Sequence, residues 1–253
     1  MRRWFLHLSF KGTHYAGWQI QNNAITVQGL LDQALTTILR SNVSTTGCGR
    51  TDTGVHASCF YAHFDRQGSD GLGMDEKMLL KGLNAVLPDD IAVFGIHEVQ
   101  PDQHARFSAI SRTYEYRIAH HKDPFLLGLS TYHQIRFPLE DMNEACRVLL
   151  GQHDFTSFSR THTQVKTNIC RLEEAHWFER DGLTIFKITA DRFLRGMVRA
   201  VVGTCLKHPN ASMMSQILGL KDRSKAGAAA PPEGLFLTDV RYPFPIHTNR
   251  FPK

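Results

Sequence analysis

Residues 47–57 read GCGRTDTGVHA, a short polar stretch with three glycines and an aspartate near its centre. Glycine permits backbone angles that other residues avoid, and it lets a ligand or another segment approach closely. The stretch lies between a predicted helix and a predicted strand. Asp52 is therefore expected on a tight loop, where a reactive side chain is well presented.

The glycines alone do not identify a nucleotide site. The dinucleotide pattern G-x-G-x-x-G, begun at Gly47, fails at its last position, which is Asp52. No Gly-Lys-Ser/Thr follows, so the stretch is not a phosphate-binding loop either. Two interpretations of Asp52 stay open from the residues alone: a turn-forming aspartate, or a reactive carboxylate that is ionised at neutral pH.

Hydrophobic periodicity on both sides of this loop predicts an alternation of strands and helices. Strands are predicted at 5–10, 59–64, 91–99, 112–118, 183–190 and 236–242. Helices are predicted at 27–39 behind an N-cap at Thr26, at 75–87 with Asp75 as cap, at 139–150 and at 193–206. The Ala-, Gly- and Pro-rich stretch 224–233 is predicted to be a mobile loop. We expect two α/β parts, 1–110 and 111–253.

Composition fits a globular protein, with 253 residues, 42% of them hydrophobic and 21% charged. The apolar run near the N-terminus is too short and too polar for a signal peptide or a membrane span, so a cytoplasmic protein is expected. Five scattered cysteines without a C-x-x-C pair favour reduced thiols.

The positive charge is concentrated in the second half of the chain. The formal net charge is +5, yet residues 1–110 hold 9 Lys and Arg against 10 Asp and Glu, while 111–253 hold 20 against 14. Such a bias suits a polyanion, but a solvated basic face is the commoner explanation of it when it is taken alone.

The stretch 49–57 resembles the GRTDAGVHA signature of the tRNA pseudouridine synthase A family, whose aspartate is catalytic. Thr53 stands where that family usually has alanine, and no group needed for chemistry is lost. Further segments resemble the same family in the same order: Tyr15–Gln19, Val27–Gly29, His104–Ala109, Arg112–Tyr116, Asp154–Phe158, Phe193–Arg199 and Glu233–Leu237. The resemblance spans nearly the whole chain.

This resemblance implies an α/β (α+β) pseudouridine synthase fold. Two ferredoxin-like halves would form a continuous mixed, largely antiparallel sheet flanked by helices, with a central basic cleft. The implied activity is isomerisation of uridine to pseudouridine in the anticodon stem-loop of tRNA, at tRNA positions 38–40, by a homodimer. The reaction requires no metal, no cofactor and no membrane.

The implied site combines a carboxylate with arginines and an aromatic ring. Six residues belong to it: Asp52 as nucleophile with Arg50 and Arg199 as further catalytic residues, and Tyr114, Arg195 and Leu235 as substrate contacts. An arginine holds a carboxylate ionised and oriented, and a tyrosine face stacks on a flipped base. Whether Asp52 attacks the sugar or the base stays open.

Several neighbouring residues have a structural interpretation as well. Tyr116 shares a strand face with Tyr114 and could equally belong to the core, and His56 is interpreted as structural. Spacing predicts that Arg192, Arg195 and Arg199 lie along one helix face. The cysteine and histidine spacings do not suggest a metal site. Two other functions stay open: a non-catalytic RNA-binding module, and a nucleoside hydrolase that uses Asp52 and water.

Overall fold

A computed structural model describes residues 2–66, 75–160 and 166–246. Within these ranges the strands are β1 (Arg2–Phe10), β2 (Thr46–Gly47), β3 (His56–Arg66), β4 (Ile91–Val99), β5 (Ser111–Ala119), β6 (Thr131–Tyr132), β7 (Gly151–Asp154), β8 (Ile169–Arg180), β9 (Leu183–Ala190) and β10 (Leu235–Arg241). The helices are α1 (Val27–Leu39), α2 (Glu76–Val86), α3 (Leu139–Arg147), α4 (Met197–Lys207) and α5 (Ala211–Leu220).

The chain forms two compact units. One unit comprises residues 1–110 together with 237–253, and the other comprises residues 111–236. The division after Ile110 is the one expected from the sequence, but residues 237–253 group with the first unit. The first unit is therefore built from two separate parts of the chain.

The first unit contains a sheet with β1 near its centre. This strand pairs antiparallel with both β3 and β4, so that Leu6 lies opposite Ala62 on one side and Ile96 on the other. β2 pairs with β3 at one end, and β10 follows β3 in the strand order. Leu6 and Leu8 are fully buried, as expected for a strand inside a sheet.

Two helices accompany this sheet, and both begin at the caps predicted from the sequence. The Thr26 side chain accepts a hydrogen bond from the backbone N–H of Gly29, and the Asp75 carboxylate accepts one from Met78. α1 buries the apolar stripe that its 3.6-residue periodicity indicates: Val27, Leu31, Ala34, Leu35 and Leu39. α2 packs beside α1 and against β4.

The second unit has a sheet in the order β5, β9, β8 and β7, with antiparallel pairing throughout that series. The short β6 pairs parallel with β5. A mixed α/β fold with largely antiparallel strands is therefore confirmed. α3 packs on β8, and it contacts α4 and α5.

One predicted helix is wrong at its start. The sequence analysis began it at Phe193, whereas α4 begins at Met197, after Gly196 with φ of 72°. That left-handed conformation interrupts a right-handed helix, and glycine adopts it without steric cost. The hydrophobic spacing that suggested the earlier start continues through the turn at Gly196, but the helical conformation of the backbone does not.

Some regular structure was not predicted from the sequence: the strand pair β7 and β8, the helix α5, and the two-residue strands β2 and β6. In β8 the buried Cys170 and Leu172 alternate with the exposed Arg171 and Glu173, so the strand signal was present and was overlooked. α5 buries only Met214 and Ile217, so its amphipathic stripe is short.

Candidate active site

The loop with Asp52 connects β2 to β3 in the first unit. The backbone N–H of Cys48 donates to the Tyr61 carbonyl at 2.7 Å, and the Tyr61 N–H donates to the Cys48 sulfur at 3.4 Å. Asp52 is half-buried, while Arg50 and Thr53 are exposed. The loop is therefore held at its base and presents its polar tip.

Residues 12–18 brace this loop along its length. The Gly54 N–H donates to the Tyr15 carbonyl at 3.3 Å, and the Trp18 N–H donates to the Thr51 carbonyl at 3.3 Å. Gly17 has φ of +87°, and a Cβ there would lie 2.2 Å from the Thr51 oxygen. Only glycine fits so close to the backbone next to Asp52.

A turn closes the loop directly after the aspartate. The Val55 N–H donates to the Asp52 carbonyl at 3.1 Å, and Gly54 inside the turn has φ of 79°. In the segment 12–18, a Cβ at Gly12 would lie 2.0 Å from the backbone oxygen of Val55. The three glycines 12, 17 and 54 thus permit the backbone packing that orients Asp52.

His56 has the structural role that the sequence favoured. Its side chain is buried, and its Nδ1 accepts a hydrogen bond from the Gly12 N–H at 3.0 Å. Because Nδ1 accepts this bond, the ring proton of the neutral form lies on Nε2. His56 therefore connects the bracing segment to β3.

The segment 12–18 is in turn hydrogen-bonded to Asp90, the residue before β4. The buried Tyr15 hydroxyl donates a hydrogen bond to the Asp90 carboxylate. Burial, the hydrogen bond and the charge of Asp90 together raise the pKa of Tyr15, so the phenol stays protonated. The sequence analysis did not identify this contact, because no local pattern relates residues 75 positions apart.

Thr51 also received no role from the sequence. Its residue is 9% exposed, and its hydroxyl oxygen has no hydrogen-bond partner among the described residues. A buried hydroxyl without a partner loses its hydration on folding at a cost of about 1–3 kcal/mol. The one sequence feature that could have drawn attention to Thr51 was its position next to Asp52 in the motif.

In the second unit, Tyr114 lies on β5 and is half-buried. It is paired with Ile188 of β9, and its ring meets Phe193 edge-to-face with centroids 5.1 Å apart. Such aromatic pairs favour one ring orientation. Phe193 was quoted only as part of a matching segment, and its contact with Tyr114 gives it a supporting role.

Tyr116 belongs to the core, which decides the alternative left open by the sequence. It is fully buried, its hydroxyl lies 2.7 Å from the Thr131 hydroxyl, and it donates to the Pro231 carbonyl at 2.9 Å. Burial raises the pKa of Tyr116. The two strand tyrosines thus differ, with Tyr114 partly accessible and Tyr116 enclosed.

Arg199 lies in the first turn of α4 and is anchored to a neighbouring segment. Its Nε donates to the Ala230 carbonyl at 2.6 Å, and the Ala230 N–H donates back to the Arg199 carbonyl at 2.9 Å. This reciprocal pair orients the arginine side chain along the Ala230 backbone.

The stretch 224–233 is packed where the sequence predicted a mobile loop. The Gly227 N–H donates to the Thr204 hydroxyl at 2.9 Å, and the Arg223 guanidinium donates to the Gly227 carbonyl at 2.9 Å. A Cβ at Gly203 would lie 1.8 Å from the Ala228 oxygen. The prediction of a mobile loop was wrong, because the small residues of this stretch allow its backbone to pack closely on α4. Composition alone does not distinguish such packing from flexibility.

The predicted row of three arginines on one helix face is also wrong. Arg192 and Arg195 precede α4, and only Arg199 lies on the helix. Arg195 is exposed, and its carbonyl accepts a hydrogen bond from the Arg160 N–H at 3.0 Å. Arg192 is half-buried. The turn at Gly196 breaks the spacing on which the prediction depended.

Leu235 begins β10 and is 6% exposed. The preceding Gly234 packs closely, since a Cβ there would lie 2.8 Å from the Tyr116 ring. Of the six predicted site residues, Asp52 and Arg50 share one loop of the first unit. The other four belong to the second unit: Tyr114, Arg195, Arg199 and Leu235.

The described part of the chain lacks the features of a metal site and of a membrane-spanning helix. Among the residues described, His, Cys, Asp and Glu form no group of three or more that could hold a metal ion. All five cysteines are buried thiols outside any disulfide. In the same ranges, no helix has the length and apolar character needed to cross a membrane.

Comparison with known proteins agrees with these features. Residues 145–243 match a family described as tRNA pseudouridine synthase. A mixed α/β fold and an aspartate on a braced glycine-rich loop, together with this match, define the chain as a pseudouridine synthase by class.

Relatives along the full length narrow that class. The chain is 46% identical to the tRNA pseudouridine synthase A of Parabacteroides distasonis, over 97% of this chain and 99% of that one. The proteins of the same name from Bacteroides fragilis and Porphyromonas gingivalis are also 46% identical, over 96% of this chain and 97% and 98% of theirs. The chain therefore belongs to the tRNA pseudouridine synthase A family.

Proposed function

We propose that the protein isomerises uridine to pseudouridine in tRNA, with Asp52 as the nucleophile. The single observation that carries this proposal is the 46% sequence identity, over 97% of this chain, to a protein named tRNA pseudouridine synthase A. The loop geometry supports the role of Asp52, because residues 12–18 hold the backbone on both sides of it. A pre-positioned nucleophile loses little entropy when the substrate arrives.

The reaction balances without any external group. The bond between N1 and the ribose C1′ breaks, the base turns, and a bond between C5 and C1′ forms. C5 loses its proton and N1 gains one, so no net oxidation or hydrolysis occurs. A covalent intermediate with the Asp52 carboxylate divides this exchange into two easier steps.

The remaining site residues receive roles that fit their surroundings. Arg199, whose side chain is oriented by its hydrogen bond to the Ala230 carbonyl, is a further catalytic residue, as the family resemblance implies. Tyr114, oriented by Phe193, stacks on the flipped uracil. Arg50, exposed on the same loop as Asp52, is the other catalytic arginine. The exposed Arg195 contacts the RNA backbone, and Leu235 contacts the base.

The proposed substrate region is the anticodon stem-loop, at the tRNA positions 38–40 that the family resemblance implies. A uridine there is stacked or paired, so the enzyme flips it out before reaction. We further propose a homodimer, which the family resemblance implies, and a cytoplasmic location, because tRNA is the substrate. The positive net charge of 111–253 supports contact with RNA phosphates.

Tritium release from tRNA labelled at uridine C5 tests the activity. The native chain is expected to release tritium, and Asp52→Asn to lower the rate at least about 1000-fold, since the variant keeps the side-chain shape and loses the nucleophile. The exposed Asp89→Asn serves as the matched control and is expected to react at the native rate.

The same assay separates the two other functions. A nucleoside hydrolase would release free uracil, which chromatography of the products detects. A non-catalytic RNA-binding module would bind the labelled tRNA and retain its tritium. Either result with the native chain rejects the proposal.

A further inference from the structure

The first unit presents an exposed aromatic ring that the proposed reaction does not use. Phe107 is 76% exposed, although phenylalanine is usually buried in folded proteins. The neighbouring Arg106 is exposed as well, and its guanidinium carbon lies 5.6 Å from the centre of the Phe107 ring. The pair combines an accessible π-face with a positive charge.

The turn that carries this pair is pre-organised. The N–H groups of Arg106 and Phe107 both donate to His104 Nδ1, at 3.1 and 3.2 Å. The Ser108 N–H donates to the His104 carbonyl at 3.0 Å, and the His104 N–H donates to the Ser108 hydroxyl at 2.9 Å. The backbone beneath Phe107 is therefore held from both ends of the five-residue turn 104–108.

A series of rings connects the turn to the core of the first unit. Phe107 lies 4.4 Å from His104 between ring centroids, and His104 lies 4.5 Å from His63 on β3. His63 Nδ1 accepts the Ala105 N–H at 3.1 Å, and the Tyr242 hydroxyl donates to the Ala105 carbonyl at 2.6 Å. So many contacts to the sheet make the exposed ring an anchored feature and not a frayed loop.

The chemistry of this pair fits RNA. Base stacking on aromatic rings tolerates any base, since every base has a π-face. The adjacent guanidinium can meet the phosphate of the same nucleotide. Residues 1–110 have no positive excess, so contact with RNA in this part of the chain depends on rings and on individual arginines.

We propose that Phe107 and Arg106 form a stacking subsite for an unpaired base of the RNA substrate, separate from the reacting uridine. This inference rests on the proposed function for the identity of the RNA. Phe107 provides the stacking face, His104 keeps the turn in shape, and Arg106 pairs with the adjoining phosphate.

The test measures the dissociation constant of an unmodified tRNA transcript with the full chain carrying Asp52→Asn, which prevents turnover. Phe107→Ala and Phe107→Leu are expected to weaken binding by roughly 5- to 150-fold, the range of one lost stacking contact. Phe107→Trp is expected to restore binding to within about twofold. Leucine is a sharp comparison, since it keeps apolar surface and removes the π-face.

Phe125→Ala is the matched control. Phe125 is a surface phenylalanine that is 90% exposed, on the turn before β6 in the second unit. Its removal is expected to leave the dissociation constant unchanged. An equal loss in Phe125→Ala overturns the proposal, because the effect would then belong to any exposed ring. Neither residue is buried, so the unfolding temperature is expected to stay at the parent value in both.

Three other results also overturn the proposal. One is unchanged binding in Phe107→Ala. Another is full rescue by leucine. The third is a change of oligomeric state in Phe107→Ala, measured by sedimentation velocity, which would assign the ring to contact between copies of the chain.

Failure of the subsite and failure of the proposed function are distinguishable. If the native chain releases tritium and Phe107→Ala binds tRNA normally, the subsite alone fails. If the native chain releases no tritium while its tRNA binding still depends on an aromatic ring at 107, the proposed activity fails and the subsite stands.

Discussion

At the scale of single residues, the orientation of Asp52 depends on atoms outside the loop itself. The backbone of the residues around Asp52 is hydrogen-bonded to residues 12–18, and the Tyr15 hydroxyl within that segment is hydrogen-bonded to Asp90. A carboxylate that attacks a substrate must be placed within a fraction of an ångström. Tyr15 is therefore a positioning residue for the proposed nucleophile, although it does not touch the substrate.

Tyr15→Phe tests this dependence. The variant keeps the ring and removes the hydroxyl that bonds Asp90, so the free energy of unfolding is expected to fall by about 1–3 kcal/mol. In the tritium-release assay kcat is expected to fall by up to about 100-fold while KM changes little, because the loop shifts and the RNA surface does not.

Tyr132→Phe provides the comparison for that variant. Tyr132 is 60% exposed, so loss of its hydroxyl is expected to leave both the urea midpoint and kcat at native values. Native values in Tyr15→Phe as well would show that the contact with Asp90 does not position the loop.

His63 predicts a pH dependence of stability. Burial above all, with smaller effects from His104 and Arg3 that outweigh the opposing Asp65, lowers the pKa of His63 from 6.5 to about 4. As the pH falls below 6.5, the unfolded chain binds a proton that folded His63 does not bind. The contribution to stability is thus full above pH 6.5 and is lost as the pH falls toward 4.

His63→Asn is expected to weaken this dependence, since the amide does not titrate and its oxygen can accept the Ala105 N–H. Between pH 7 and pH 5 the native chain is expected to lose about 2 kcal/mol more unfolding free energy than the variant. Urea titrations at both pH values measure the difference. The exposed His121→Asn is the control, and it should follow the native chain; a native-like pH dependence in His63→Asn would contradict the assignment.

At the scale of elements, the contact of α4 with residues 224–233 links helix packing to Arg199. Gly203 lies where the helix meets the Ala228 carbonyl, and the Arg199 side chain bonds the nearby Ala230. The close approach requires the absence of a side chain on one face of the helix. Glycine at position 203 lowers the helix propensity of α4, but it allows the close packing that orients the Arg199 side chain.

Gly203→Ala is expected to destabilise the protein by roughly 1–3 kcal/mol, even though alanine is the better helix former. Its Cβ would lie 1.8 Å from the Ala228 oxygen, so the segment must move. Gly219→Ala in α5 meets no atom within 4 Å and is expected to stabilise by up to about 1 kcal/mol. Opposite signs in thermal unfolding test the packing, and a stabilising Gly203→Ala would contradict it.

The same elements show how far the sequence could predict the structure. The caps at Thr26 and Asp75 were predictable, because capping is local and the side chain meets an N–H three residues away. The start of α4 and the packing of 224–233 were not, since both depend on close backbone approach. Periodicity records which residues are apolar, and it does not record where the chain turns between them.

For the candidate site, the motif around Asp52 was decisive, and the structural role of His56 followed from its position after a glycine-rich turn. The Tyr15 contact with Asp90 and the ring series beneath Phe107 could not be predicted. Each joins residues that are distant in sequence, and only the register of the strands brings them together.

At the scale of the whole molecule, the charge distribution predicts a salt-sensitive interaction with RNA. The positive excess lies in 111–253, which holds 20 Lys and Arg against 14 Asp and Glu, and where the exposed Arg195 lies on the turn before α4. Each lost phosphate contact lowers the salt slope of log K by about 0.7–0.9.

Arg195→Ala is therefore expected to flatten the slope of tRNA binding by about that amount, measured between 50 and 200 mM salt. Arg147→Ala, an exposed arginine at the end of α3, is the matched control and is expected to keep the native slope. A native slope in Arg195→Ala would show that its guanidinium faces solvent in the complex.

The division of the chain also bears on its synthesis. The first unit takes residues 237–253 from beyond the second unit, so its sheet lacks β10 until residues 111–236 have been translated. At about 5–20 residues per second, this delay is roughly 6–25 s. During that interval the edge of β3 that later meets β10 is paired only with the short β2, and an open strand edge is prone to aggregation.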